Sequence, residues 1–591
     1  MFGRLGMWLA SLALLAAGAS AALAEPLPRV LSDADAGRYA RIFEAQRHGD
    51  WRTADRLIGG LQDRLLLGHV QFQRYMHPTA YRSAYAELHR WMKAHGDHPM
   101  AERLHALAQK RRIAGWKPLP GPWVARLELP AGVELPAARP ATRAEAAESG
   151  RTGHDRAVLA QVRRNVLRDR MTVTENMLDG PRGQAMSPAA MAEARATLAR
   201  GHLSKARFER ALKQGDLARQ GPGGGMRAGS FYAGLALWAM GRHAESHYRF
   251  AAAADTAPDH IGHMGGAADF WAARAALAAG RYAAVVPYLR RAASYSRDMY
   301  GLLAARQLAD RGDFEWSPPG LTAAAVEALM AANPAIRRAI ALTEAGQIAR
   351  ADLELRRLSR RADARGSALL MALSAALDAP ATAYRIARIR LNSFGERHDP
   401  ALFPLPDWQI DEGQPIGRAL LLAVARRESG FDTRARSGRG ASGLMQLMPR
   451  TADYIARKSG RPPPGRAALF DAEVSLELGQ SYLAYLMTAV EPDGSLLHVL
   501  AAYNAGPGNV REWQRRFGDR DDPLLFLELM GSLQTRLFVR DVLAAYWIYR
   551  DRLGWETPTL GELAEGRWPF YSPPPRAAAP VLIGRGGIGA D

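Results

Sequence analysis

Residues 419–449 read ALLLAVARRESGFDTRARSGRGASGLMQLMP. Pro415 can open a helix and Gly430 can close one, which predicts a helix over 416–429. Within it Leu421, Val424 and Glu428 fall at i, i+3 and i+7, on one face. The first two make that face apolar, so Glu428 stands where an apolar residue is expected, at the end of a buried stripe. A carboxyl group held against apolar surface keeps its proton to higher pH, because desolvation disfavours the charged form. A general acid working near neutrality requires that property. The helix alone favours the plainer reading, a glutamate at a frayed helix end.

The next residues of the chain change the balance. A basic loop leads into Ser442-Gly443-Leu444-Met445-Gln446-Leu447-Met448-Pro449. Its glycines let the loop fold closely over the helix end. Met445 and Met448 are expected to pack there, and Gln446 offers both a donor and an acceptor to a polar ligand. About 75 residues beyond Glu428 comes AAYNAGPGNV, residues 501–510. This predicts a helix from Ser495 to Tyr503-Asn504, a break at Gly506-Pro507-Gly508, and a restart toward Trp513. The break places the Tyr503 hydroxyl and the Asn504 amide near a helix terminus, where they suit a sugar ring and its N-acetyl group. Taken singly, Tyr503 reads as core and Asn504 as a C-cap.

Outward from this segment the chain is helical in texture. Over 31–308 apolar residues recur at spacings of three and four in an Ala-, Leu- and Arg-rich background. Gly-centred breaks punctuate it at Gly49, Gly215, Gly241 and Gly280, and 221–225 reads as a flexible turn. The segments LALWAMGRHAESHYRFAAAA and ALAAGRYAAVVPYLRRAA align at an offset of 39 residues. Helix, tight turn and helix, repeated, predict stacked hairpins of the tetratricopeptide-like kind, in degenerate form. Six prolines between 118 and 140 interrupt this pattern, so 117–153 reads as a linker or surface excursion.

The expected organisation is a signal peptide over 1–24, an α-superhelical domain over 25–310, a helical linker domain over 311–400, a catalytic domain over 401–560 and a disordered tail over 561–591. The signal peptide is read from Arg4, the short apolar run 7–17 and the A-x-A site Ala22-Leu23-Ala24. That run is too short to span a bilayer, and no later segment supplies a longer one. The chain is therefore expected in the periplasm, soluble after cleavage behind Ala24 and without a transmembrane segment. It has no cysteine, which excludes disulfides, thiolate metal sites and a cysteine-linked lipid anchor. A net charge of +19 favours acidic partners, but the arginines are spread along helices and an exported protein rarely meets nucleic acid, so that partner is excluded.

Glu428-Ser429, the GLMQ-x-MP string at 443–449 and the AYNAG string at 502–506 occur in one order and together resemble the large soluble lytic transglycosylase family. The resemblance is close over 403–550. It implies a mainly α fold: an N-terminal superhelical ring, a small helical linker domain and a C-terminal lysozyme-like α(+β) catalytic domain of the goose type. The text Met299-Tyr300-Gly301-Leu302-Leu303-Ala304-Ala305 looks like the family's near the end of the ring. Carried over position by position, Glu428 matches the sole catalytic acid/base. Ser437 matches a serine beside the substrate N-acetyl carbonyl, Gln446 and Met448 match cleft-lining residues, and Tyr503 and Asn504 match the pair flanking the acid. The implied reaction is non-hydrolytic cleavage of the MurNAc-β-1,4-GlcNAc bond of peptidoglycan, leaving 1,6-anhydro-MurNAc ends. Glycan strands are the implied partner, with other cell-wall enzymes as further ones, and no cofactor is implied.

The sequence departs from the family toward the C-terminus. Gln534 stands where the family has a cleft-lining glutamate, Phe538 where it has tyrosine, and Ser475 where it often has asparagine. Gln534 is retained as a substrate-binding candidate that can hydrogen-bond without charge. No nearby carboxylate, whether Asp432, Asp453, Asp471 or Glu473, announces itself as a nucleophile. Asp259, His260 and His263 lack the context of a zinc helix and read as a turn, so no metal site is expected. The G-x-G-x-x-G matches at 438–443 and 584–589 lack the strand before or the helix after that dinucleotide binding needs.

Overall fold

A computed structural model describes residues 27–113, 115–130, 151–255, 264–317, 320–411, 413–490, 495–518 and 520–574. The expected signal peptide, most of the Pro-rich excursion, the histidine cluster at 259–263 and the last residues of the tail lie outside these. The described residues are mainly helical. No strand forms among them, and the expected β contribution reduces to isolated bridges pairing Arg436 with Ser442, Ser442 with Leu447 and Ser495 with Phe570.

The chain divides into two compact units whose limits cut across the expected domains. One comprises Met1–Arg143 with Glu315–Asp407, the other Ala144–Phe314 with Trp408–Asp591. Residues 27–130 thus fold with the stretch expected as a linker domain, not with the rest of the superhelix. Long-range polar contacts show why. The Glu344 carboxylate accepts from the Val30 and Leu31 N–H groups at 2.8 Å each. Asn333 exchanges hydrogen bonds with the Glu128 backbone at 2.9 and 2.8 Å. Buried Glu354 binds His69 and Arg338 at 2.8 and 2.7 Å.

The second unit opens with antiparallel helix pairs. These include α1 (Pro188–Leu203), α2 (Phe208–Ala218), α3 (Gly224–Ala239), α4 (His243–Ala254), α5 (Gly265–Ala278), α6 (Tyr282–Ala293) and α7 (Met299–Gln307). Each packs on the next, as the 39-residue repeat predicts. Phe231, Phe250, Trp271 and Tyr300 fill the space between them at 0–1 % exposure. One expected break is not there: Gly215 lies inside α2. A Cβ on it would meet the Gly229 carbonyl oxygen of α3 at 2.8 Å, so this glycine serves close helix packing.

The same unit carries the segment around Glu428. Its helices include α8 (Arg418–Glu428), α9 (Ala472–Ala489), α10 (Leu496–Ala505), α11 (Pro507–Phe517), α12 (Pro523–Leu529), α13 (Leu533–Arg552) and α14 (Pro558–Ala564). α8 and α13 form the core, with α8 buried continuously from Ala419 to Ala425. The expected disordered tail is ordered from 561 to 574. Leu496 donates to the Pro569 carbonyl at 2.8 Å, the Tyr571 hydroxyl accepts from Gly417 at 2.9 Å, and Arg550 donates to the Ser572 carbonyl at 2.8 Å. Two aromatics in that stretch, Trp568 against His498 and Phe526 and Tyr571 against Tyr546, let it pack where composition alone suggested none.

Candidate active site

Glu428 is the last residue of α8, close behind its continuously buried run. Burial pushes its carboxyl up to about 7, and the Arg427 guanidinium opposes this only in part. Among the described residues Arg427 is the one charged group acting on it. Arg427 is itself drawn toward Asp541 of α13 by an ion pair of 2.8 Å. The carboxyl thus keeps its proton near neutrality while retaining a solvent-facing side.

The chain leaves α8 through Gly430 and Phe431, both at positive φ, with Phe431 buried. It returns over the helix end as a loop whose hydrogen bonds are nearly all internal. The Ser437 hydroxyl accepts from the Ala441 N–H at 2.9 Å, closing a tight turn. At Gly443 φ is +78°, and a Cβ would lie 1.7 Å from the Leu469 carbonyl oxygen, so glycine is required there. Gln446, at φ +45°, donates through Nε2 to the Ala435 and Gly443 carbonyls at 3.0 and 2.8 Å. Its amide nitrogen therefore braces the loop and does not stand free toward a ligand, in contrast to the expectation from sequence. Met448 projects outward with 43 % of its surface exposed.

Tyr503 comes from the opposite side, near the end of α10. Its hydroxyl donates to the Met445 carbonyl at 2.7 Å. Burial raises its pKa well above the ordinary value, and the nearby charge of Glu428 adds to this. Its ring stacks on Phe538 with centroids 6.0 Å apart and planes 3° from parallel, and tilts against Tyr482 at 5.3 Å. Asn504, next along, accepts through Oδ1 from the Thr535 hydroxyl at 2.9 Å. The interruption after α10 is a single residue, Gly506 at φ +84°, because Pro507 already starts α11. Gln534, in the first turn of α13, is exposed.

The tertiary structure therefore gathers Glu428, the loop 435–448, Tyr503 and Asn504 at one place, with Phe538 behind Tyr503. Two positioning residues, Thr535 and Tyr482, carry no clear sequence signal, and Ser475, noted from sequence only as a departure from the family, accepts through its buried hydroxyl from the Met445 N–H at 3.2 Å. Each acts across a contact between segments distant in the chain. Of the carboxylates weighed from sequence, Asp471 caps α9 by accepting from Glu473 and Val474, and Asp432 accepts from the Arg434 N–H at 2.9 Å.

Residues 411–526 match the family model described as Transglycosylase SLT domain, which includes Glu428 and Tyr503 and stops short of Gln534 and Phe538. The recognition from the three motifs holds: the chain is related to the Slt-type lytic transglycosylases. It is 37% identical over 156 residues to the soluble lytic murein transglycosylase of Escherichia coli (strain K12), covering 26% of this chain and 23% of that protein. It is 36% identical over 109 residues to the membrane-bound lytic murein transglycosylase C of Serratia proteamaculans (strain 568), covering 17% and 30%. The sequence match thus spans about a quarter of the length of the first of these relatives. In fold the chain is similar to the 70 kDa soluble lytic transglycosylase of Escherichia coli, with TM-score 0.55 and 19% identity over 90% of this chain and 98% of that one. Among the described residues no group of His, Asp and Glu is arranged to hold a metal, and no helix is long and apolar enough to cross a membrane.

Proposed function

We propose that this protein is a peptidoglycan lytic transglycosylase of the periplasm, acting on glycan strands with Glu428 as both acid and base. The observation that carries the reading is the Glu428 carboxyl, raised to about 7 by burial, with no second carboxylate acting on it among the described residues. A protonated Glu428 can donate to the glycosidic oxygen between MurNAc and GlcNAc, breaking the C1–O bond. With no second carboxylate acting on Glu428 among the described residues, the substrate's own N-acetyl oxygen is the group that stabilises the anomeric carbon, the substrate-assisted alternative to a two-carboxylate site. Glu428, now ionised, takes the proton from the muramoyl C6 hydroxyl, and that oxygen closes the 1,6-anhydro ring. No water is consumed. Glu428 ends protonated, ready for the next bond.

In this reading Tyr503 and the GLMQ loop set the wall of the cleft, Met448 offers an apolar surface, and Ser437 and Asn504 face the N-acetyl side. Cell-wall remodelling or turnover is the matching role. Digestion of purified sacculi followed by mass analysis tests it: products one water lighter than hydrolysed muropeptides are expected from the wild type and none from Glu428→Gln. Hydrated products alone would refute the ring closure, and full activity in Glu428→Gln would refute the assignment of the acid.

A further inference from the structure

A second cavity lies between the helical stack and α13, apart from the loop that covers Glu428. It holds about 160 Å³, and its wall is mostly apolar, with Arg227, Tyr232, Glu528, Arg536 and Arg540 as the polar residues of its lining. Arg227 is 3 % exposed, yet its guanidinium makes no hydrogen bond or ion pair with a described residue, and its Nε is buried without a partner. Arg536 is 2 % exposed and leaves Nε and Nη2 unpartnered, and Arg540 leaves Nε so.

The acidic groups present are already engaged. Glu528 accepts from Arg536 at 3.2 Å and from the Tyr300 hydroxyl at 2.5 Å. Asp298 pairs with Arg540 at 3.3 Å. Asp269, whose carboxyl feels the charge of Arg227, forms an ion pair with Arg291 at 2.9 Å but has no directed hydrogen bond at Oδ1. A buried guanidinium without a hydrogen-bonding partner costs free energy unless something accepts from it. The first N–H groups of α3 add to the demand, since Gly223 offers them no side-chain cap.

From the buried Arg227 guanidinium, without a partner among the described residues and on the wall of this cavity, we infer that the cavity is a binding site for a small oxyanion, a carboxylate or phosphate group. Guanidinium forks recognise such groups through paired, charge-assisted hydrogen bonds. The volume accepts one oxyanion in place of several waters. The occupant bridges α3 and α13. The far side of α13 presents Thr535 to Asn504 and Phe538 to Tyr503. The anion site stands independently of the reaction proposed for Glu428.

Isothermal titration of the full-length protein with inorganic phosphate and, separately, acetate, each at constant ionic strength against a chloride blank, tests it. Saturable one-site binding of at least one anion is expected, and which one binds identifies the chemistry. Arg227→Met should weaken it at least tenfold, with Arg227→Lys recovering part of the affinity. Arg227 holds no partner among the described residues, so its replacement should leave the circular dichroism in place and should not lower the anion-free Tm. Should Arg227→Met not fold, Arg227→Gln makes the same comparison. No saturable binding in the wild type, or equal affinity in the Arg227 variants, would overturn the site.

Discussion

The Tyr503 hydroxyl donates to the carbonyl of Met445 at 2.7 Å, tying α10 to the loop that lies over Glu428. Tyr503→Phe keeps the ring on Phe538 and removes only this bond. A net loss of about 1 kcal/mol is expected, seen as a Tm lower by about 1–2 °C. Wall-lytic activity, measured well below that Tm, should fall about tenfold, because the loop loses its tie beside the acid. A Tm unchanged from wild type would show that the bond contributes nothing.

The Glu428 carboxyl is raised from 4.5 to about 7 in the folded state. An acid with a raised folded pKa binds more protons folded than unfolded, so stability falls as pH rises between those values. Glu428→Gln removes that penalty. The variant should therefore be more stable than wild type at pH 8 by about 1–3 kcal/mol, and nearly equal to it at pH 4. Thermal melts at both values read this directly. The same protonation makes the wild-type rate decline as pH climbs through about 7.

Gln446 donates to two carbonyls, those of Ala435 and Gly443, which only a donor can satisfy. A glutamate side chain at this position would set a carboxylate against them. Gln446→Glu should therefore cost about 2 kcal/mol or more at neutral pH, with partial recovery near pH 4. Denaturant unfolding at the two pH values gives the comparison. Equal stability of variant and wild type throughout would count against the brace.

Gly443→Ala places a methyl group 1.7 Å from the Leu469 carbonyl oxygen at a backbone φ of +78°. Backbone cannot yield as a side-chain tip does. The expected outcome is a loop displaced from the end of α8, with activity lost and the Tm lowered by more than Gln446→Glu lowers it.

Gln534 is exposed in the first turn of α13, so Gln534→Glu should change stability by less than about 0.5 kcal/mol. The family resemblance places a glutamate there, and kcat/KM on peptidoglycan is expected to rise severalfold. Unaltered kinetics would show that the position does not meet the glycan.

Much of the candidate site was legible because its signals are local. Helix α8, its apolar face and the position of Glu428 follow from spacing within eleven residues. The hairpin pairs on either side of Gly241 and Gly280 follow from a repeat visible by eye. Gly215 misled for the same reason: a glycine that breaks a helix and one that lets two helices touch look alike until the neighbour, Gly229, is in place. The inward turn of Gln446 was hidden too, since its two acceptors are set by the course of the loop, not by the residue type.

From the sequence alone came the helical class, the order of the three motifs and the choice of Glu428, since periodicity and short strings are properties of neighbours in the chain. The tertiary structure decided that residues 27–130 fold with 315–407, that Glu428 holds its proton near neutrality, and that Arg227 and Arg536 face one cavity. Those outcomes depend on desolvation and on contacts between segments hundreds of residues apart. Neither is written in any one window of sequence.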